Sequence, residues 1–146
     1  LNLKKKKQED KMAYLEWNNT FSVKIAEIDK QHQMLVSYIN ELHDAMAQGK
    51  SKQVMGELFT KLANYAVEHF TLEEKLMFEN SYPDYISHKN AHTDFVKKVT
   101  ESRNSFEAGK FLISIEVMNF LKDWLMGHIM GVDQRYSAFL NEKGIR

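Results

Sequence analysis

The stretch EHFTLEEKLMFENSYPDYISHKNAH, residues 68–92, carries two pairs of side chains of the kind that bind metal ions. His69 and Glu73 are four residues apart, and so are His88 and His92, with the chain's one proline, Pro83, between the pairs. On an α-helix, residues i and i+4 stack one turn apart on the same face, so each pair can aim two donor atoms at one point. His32 lies upstream of this stretch, and His128 and Asp133 downstream. The last two are five residues apart, which on a regular helix separates them by ~140°. Both point inward only if the helix is locally irregular near Gly131, as in a π-bulge, a feature frequent at functional sites. Taken alone, Asp133 would read as a solvated surface residue.

Imidazole and carboxylate donors suit iron, zinc, copper or manganese, so donor type does not choose the metal. Coordination number narrows the choice. Five histidines, two bridging carboxylates and one bridging oxygen fill all but one position around two octahedral ions. A pair of metals with one open position suits a single small ligand bound end-on. Cysteine is absent, which excludes thiolate sites, disulfides and cysteine nucleophiles.

The elements that must position these groups are helices. One proline and six glycines leave few breaks. They fall at Gly49-Lys50-Ser51, where glycine can stop a helix and serine cap the next. Asn80 to Asp84 forms a second break, with proline suited to a first helical turn, and Ala108-Gly109 a third. Each of the four segments between, roughly 20 to 30 residues long by the 3.6-residue period, carries an apolar seam. Ile28, Leu35, Ile39, Leu42 and Met46 mark the first seam, and Leu58, Leu62, Tyr65, Leu72 and Leu76 the second. Phe95, Val99 and Phe106 continue a line from His88 and His92, and Val117, Leu121, Trp124 and Leu125 run into His128. Four long helices with short loops imply an all-α, antiparallel up-down-up-down four-helix bundle.

Histidines therefore occupy seam positions where leucines belong. One histidine on an apolar face is ordinarily a core residue satisfied by a hydrogen bond. Five, drawn from all four helices, are different, because burying them with two carboxylates and no partner costs several kcal/mol per charge. A net stability of ~5–15 kcal/mol cannot absorb that, so a cation is expected among them. His43, the sixth histidine, lies eleven residues beyond His32, roughly 16 Å along the helix, and is expected to stay outside the site, partly exposed. Met34, Met46, Phe70, Phe95, Met118 and Trp124 read as core filling, with a subset walling a pocket. Tyr65, one turn before His69, reads as core.

The 146 residues suffice for one domain, and 43% hydrophobic with 27% charged residues is a globular balance. Net charge is zero, so no global field draws nucleic acid, and no apolar run approaches the ~20 residues of a membrane span. Residues 1–11 hold five lysines against Glu9 and Asp10 and read as a solvated tail or linker, leaving 12–146 as the helical domain. Residue 1 is leucine, which fits a piece of a longer polypeptide or an engineered start. Without a signal-peptide pattern, the default location is the cytoplasm.

From about Trp17 to Tyr136 the chain resembles the bacterial hemerythrins, oxygen-binding non-haem di-iron four-helix bundles. The resemblance rests on "IAEIDKQHQMLV", "HFTLEE", "SHKNAH" and "FLKDWLMGHIMGVDQRY". One histidine in the first helix, H-x3-E in the second, H-x3-H in the third and H-x4-D in the fourth form an ordered, specific set. The resemblance implies two irons bridged by an oxo or hydroxo group. His88, His92 and His128 would hold one iron, His32 and His69 the other, and Glu73 and Asp133 would bridge both. Dioxygen would bind the iron with fewer ligands and be reduced to hydroperoxide as both irons become ferric. Lys24 departs from the family pattern, which leads one to expect glycine in "SVKIAEID".

Three functions compete. The first is reversible dioxygen binding for carriage, storage or delivery to an oxygen-consuming partner protein. The second is an oxygen or redox sensor domain attached to a neighbouring domain. The third is a di-iron oxidase or peroxidase. Ferritin-like enzymes use four carboxylates and a Glu-x-x-His signature, whereas this set has two carboxylates and stabilises high-valent iron less. Binding without turnover is the expectation.

Overall fold

The computed structural model describes residues 14–109 and 113–146. The lysine-rich residues 1–11 lie outside the described residues. Helix α1 spans Ala26–Ala47, α2 Ser51–Glu79, α3 Tyr85–Glu107 and α4 Ile113–Trp124. A π-helical segment, Leu125–Asp133, prolongs α4 without a break into α5, Gln134–Glu142. Each helix packs against the next in sequence, and α4 also packs against α1. Short connections then make the arrangement an antiparallel up-down-up-down four-helix bundle. No helix among the described residues is long and apolar enough to cross a membrane.

The apolar seams meet in two clusters. The larger contains Leu35, Ile39, Leu42, Leu58, Leu62, Phe95, Leu121 and Leu125, all almost fully buried. The smaller, toward the other end, contains Val23, Ile25, Ile28, Met77, Tyr136 and Leu140. On α1, His32 falls between Ile28 of one cluster and Leu35 of the other; on the fourth strut, His128 and Asp133 lie between Leu125 and Tyr136. A buried polar layer thus separates two apolar plugs. At ~1.5–3 kcal/mol for each fully buried aliphatic side chain, the plugs hold that layer in place.

The breaks fall where expected, with two corrections of detail. After α1, Gly49 adopts φ +70, its N–H bonds Met46 O at 3.1 Å, and the Lys50 N–H bonds Ala45 O at 2.7 Å, which is a Schellman closure. Ser51 is the first residue of α2 rather than its cap, and the capping position is Lys50 with no side-chain hydrogen bond. Pro83 lies in the turn before α3, not in its first helical turn, and Asp84 precedes the helix. Ser81 takes the left-handed role at the end of α2 (φ +55). A third correction concerns Met34, expected in the core but 37% exposed.

The chain entering α1 is tied to α5. Gln134 Nε2 donates to Phe21 O (3.2 Å), Ser137 Oγ to Val23 O (2.6 Å) and Asn141 Nδ2 to Lys24 O (3.0 Å). These bonds register the start of α1, and hence His32, against the segment carrying Asp133. Lys24, where a glycine was expected, sits at φ +57.

Candidate metal centre

All seven sequence-derived candidates converge in the buried layer. His32, His69, Glu73, His88, His92, His128 and Asp133 are each at most 6% exposed. They fall into two groups, His88–His92–His128–Asp133 and His32–His69–Glu73–Asp133, with the donor atoms of each group within 4.8 Å of one another. Asp133 belongs to both groups, and Glu73 also faces both halves. Its Oε1 lies 2.5 Å from His69 Nε2 and 3.5 Å from His92 Nε2, and its Oε2 lies 3.7 Å from His88 Nε2. Asp133 Oδ1 approaches His88 Nε2 (2.7 Å) and His128 Nε2 (3.0 Å), while Oδ2 approaches His32 Nε2 (3.2 Å).

Local structure explains each placement. The i, i+4 spacing of α2 and α3 aligns His69 with Glu73 and His88 with His92. His128 and Asp133 both point inward because the segment carrying them is π-helical, where i→i+5 bonding brings residues five apart onto one face. The irregularity expected near Gly131 is therefore present, and it extends over nine residues rather than a single bulge.

The close approaches are not a satisfied hydrogen-bond network. Nε2 of His88, His92 and His128, Glu73 Oε1 and both Asp133 oxygens lack a well-directed hydrogen-bond partner among the described residues. Buried polar atoms in folded proteins nearly always have one. His32 Nε2 faces His69 Nε2 at 2.9 Å, a pair in which at least one nitrogen must be a bare acceptor. Lone pairs aimed at common points, with too few protons between them, could hold a cation. The residues present fit a pair of metal ions.

Electrostatics agree. Burial, and then repulsion by Glu73, raise the Asp133 pKa, but contacts from His128, His32 and His88 outweigh them and hold the carboxyl below the ordinary range. Glu73 is held well below it, burial being outweighed by His69 and His92. Burial opposes protonation of His32 and His92, yet Asp133 beside the first and Glu73 beside the second raise both. For His69, burial wins and its pKa is lowered. Two anionic carboxylates are thus maintained deep in the bundle, as cation ligands must be.

Around this layer lie residues to which the sequence reading assigned no role. Tyr136 Oη donates to Glu73 Oε2 at 2.5 Å, its phenol kept protonated by burial and by the Glu73 charge. Gln31 Oε1 accepts from His69 Nδ1 (2.7 Å) and Glu74 Oε2 from His92 Nδ1 (3.0 Å), orienting those rings with Nε2 inward. Adjacency to His32 and Glu73, and a D-x2-Y spacing, were the only signals in the sequence. Aromatic rings stack on four histidines: Phe70 on His92 and Trp124 on His128 with centroids 3.9 Å apart, Tyr65 on His69 at 5.0 Å and Tyr136 on His88 at 5.4 Å. Tyr65, read as core, is buried core and also covers a candidate ligand. His43 stays outside, stacked on Tyr14 at 4.1 Å.

The chain is similar to known proteins. Residues 23–140 match the model of the hemerythrin HHE cation-binding domain. The chain is 38% identical to a bacteriohemerythrin of Stenotrophomonas maltophilia over 135 residues, 90% of this chain and 87% of that protein. It is 34% identical to a myohemerythrin of Theromyzon tessulatum over 125 residues, 86% and 92% of the respective chains. The crystal structure of a wild-type hemerythrin superimposes with a TM-score of 0.78 at 31% identity, covering 88% of this chain and 98% of that one. The four-helix frame, its buried layer of histidines and carboxylates, and these similarities together place the chain in the hemerythrin family.

Proposed function

We propose that the protein binds dioxygen reversibly at two non-haem irons bridged by an oxo or hydroxo group, as a carrier or store, and does not turn over a substrate. The observation that carries this reading is the unequal division of the histidines between the two donor groups. His88, His92 and His128 gather with Asp133 and would hold one ion, whereas His32 and His69 gather with Glu73 and Asp133 and would hold the other. Glu73 also lies 3.5 Å from His92 Nε2 and 3.7 Å from His88 Nε2. The ion with fewer histidines would be the one with room for a small molecule. A pair of ferrous irons would supply the two electrons that dioxygen accepts on binding and returns on release.

The chain's own residues favour release over further chemistry. Among the described residues only two carboxylates are buried at the site, half the number in ferritin-like oxidases, so higher iron oxidation states would receive little anionic support. Phe70 and Trp124 cover His92 and His128, and the core cluster in which they pack limits the access of bulk water and its protons to those rings. Tyr136 holds Glu73 through Oε2, and Gln31 and Glu74 keep His69 and His92 from rotating. The proposal includes cytoplasmic residence and an oxygen-consuming partner protein as recipient of the gas.

The test is repeated oxygenation and degassing of one iron-loaded, reduced sample followed optically. A visible band that appears with one dioxygen per chain and vanishes under vacuum over several cycles is the expected result. Immediate, irreversible oxidation would refute reversible carriage. Continuous oxygen consumption with supplied electrons would indicate an oxidase.

A further inference from the structure

We propose that the groove between α2 and α3 binds a free medium- or long-chain fatty carboxylate, with the headgroup at Arg103 and the tail directed toward Phe70. The groove encloses ≈ 540 Å³, inside the ~300–1,000 Å³ range of small-molecule sites. Its floor is the buried core itself: Phe59, Leu62, Phe70 and Phe95 are each no more than 4% exposed. Val67 and Val96, on its rims, are 69% and 46% exposed. Scattered exposed valines mean little, but two flanking a hollow floored by phenylalanine form a continuous apolar surface.

The groove is polarised along its length. At one end, next to the candidate metal centre, stands Glu74, engaged by His92 Nδ1. At the other stands Arg103, with no carboxylate of the described residues within 4 Å of its guanidinium, and Lys97 lines the wall between. Beyond Arg103 a smaller hollow of ≈ 350 Å³ continues past Thr60 and Asn64 to Glu107, so the trough becomes polar where Arg103 stands. Thr93 to Arg103 spans ten residues of α3, about 15 Å. Glu74 repels an anionic head from the inner end, whereas Arg103 and Lys97 attract it toward the outer half, with Glu107 set beyond Arg103 in the smaller hollow. A linear apolar chain therefore fits with its anionic head at Arg103. Tyr14, the first described residue, stacks on His43 of α1 with Lys122 of α4 over its ring, on the face of the bundle opposite the groove. The inner end of the groove is formed in part by the His92–Glu74 pair, so an occupant would lie against a side chain that orients a candidate iron ligand.

The experiment is calorimetric titration of the full iron-loaded chain with decanoate below its micellar range, repeated with decanol and with phosphatidylglycerol vesicles. Saturable binding of one decanoate per chain is expected, with decanol about fivefold weaker. Arg103→Gln should weaken decanoate about fivefold and leave decanol unchanged. Ala63→Trp, placed on an exposed groove position, should abolish both, and Val96→Asp serves the same purpose should the first variant not fold by circular dichroism. Absence of saturable binding, equal decanoate affinity in Arg103→Gln, or retained binding in both groove-blocking variants would overturn the proposal. So would vesicle binding without binding of free decanoate, or a concentration-dependent dimer that Ala63→Trp dissolves while decanoate does not bind.

Discussion

Replacing Tyr136 by phenylalanine removes one oxygen atom from the chain and isolates one contact. Tyr136 and Glu73 are both 0% exposed, and the phenol donates to Glu73 Oε2 at 2.5 Å. The next neighbour of that oxygen among the ring nitrogens is His88 Nε2 at 3.7 Å, beyond hydrogen-bond reach. A hydrogen bond to a charged acceptor is worth ~1.5–3 kcal/mol, and the variant leaves a buried carboxylate oxygen unsatisfied. The expected loss is therefore about 2 kcal/mol, or roughly 6 °C in Tm at ~3 °C per kcal/mol for a chain of this size. The sign with pH follows from Glu73. Its pKa is held low in the folded state, so its contribution is present above the ordinary carboxylate value and is lost as pH falls through the folded value. Removing a donor from the anionic form makes that contribution smaller. The deficit of Tyr136→Phe should be full near neutral pH and shrink in acid. Denaturant unfolding of the metal-free protein at several pH values, compared with wild type, measures it. A loss below ~0.5 kcal/mol at neutral pH, or the same loss at acid pH, would refute the assignment of Tyr136 as a donor to a buried carboxylate.

Four other outcomes are expected. Metal analysis after anaerobic iron loading should approach two irons per chain, and a value settling near one would remove the di-iron reading. His92→Ala and Glu73→Ala should each lose iron and destabilise by about 3 kcal/mol, whereas His43→Ala should keep its iron; equal losses would mean the site is misdrawn. Lys24→Gly should stabilise by about 0.5–1 kcal/mol, since it relieves a left-handed lysine at φ +57, and unchanged or reduced thermal stability would contradict that. The metal-free protein should be most stable in mildly acidic solution. His32 and His92, raised in the fold, contribute below ~6.5 and lose that contribution as pH rises, whereas Glu73, Asp133 and the lowered His69 contribute above their ordinary values and lose theirs in acid. Stability that climbs steadily beyond pH ~8 would contradict this balance.

The frame and the donor set were legible in the amino-acid order because both depend on local periodicity. A seam recurring every three to four residues specifies which face of each helix is buried, and His32, His69, His88, His92 and His128 stand on those seams. Helix ends were legible where glycine supplies the left-handed closure, as at Gly49 and Gly109, and less so at Ser81, which does the same work without being glycine. Met34 was misread because a hydrophobic side chain two residues after His32 lies off the buried face, and composition outweighed phase. The inward turn of Asp133 was only a conditional expectation. A wide helical turn over Leu125–Asp133 has no propensity signature, because it forms when cross-bundle interactions outweigh regular i→i+4 bonding. Tyr136 on Glu73, Gln31 on His69 and Glu74 on His92 are likewise beyond any one-dimensional reading, since the first joins residues 63 apart and the others 38 and 18 apart. Period and residue type determine what a helix face can bind. Which oxygen each ring nitrogen meets depends on how four helices are registered against one another, and that register is set by the apolar plugs above and below the site.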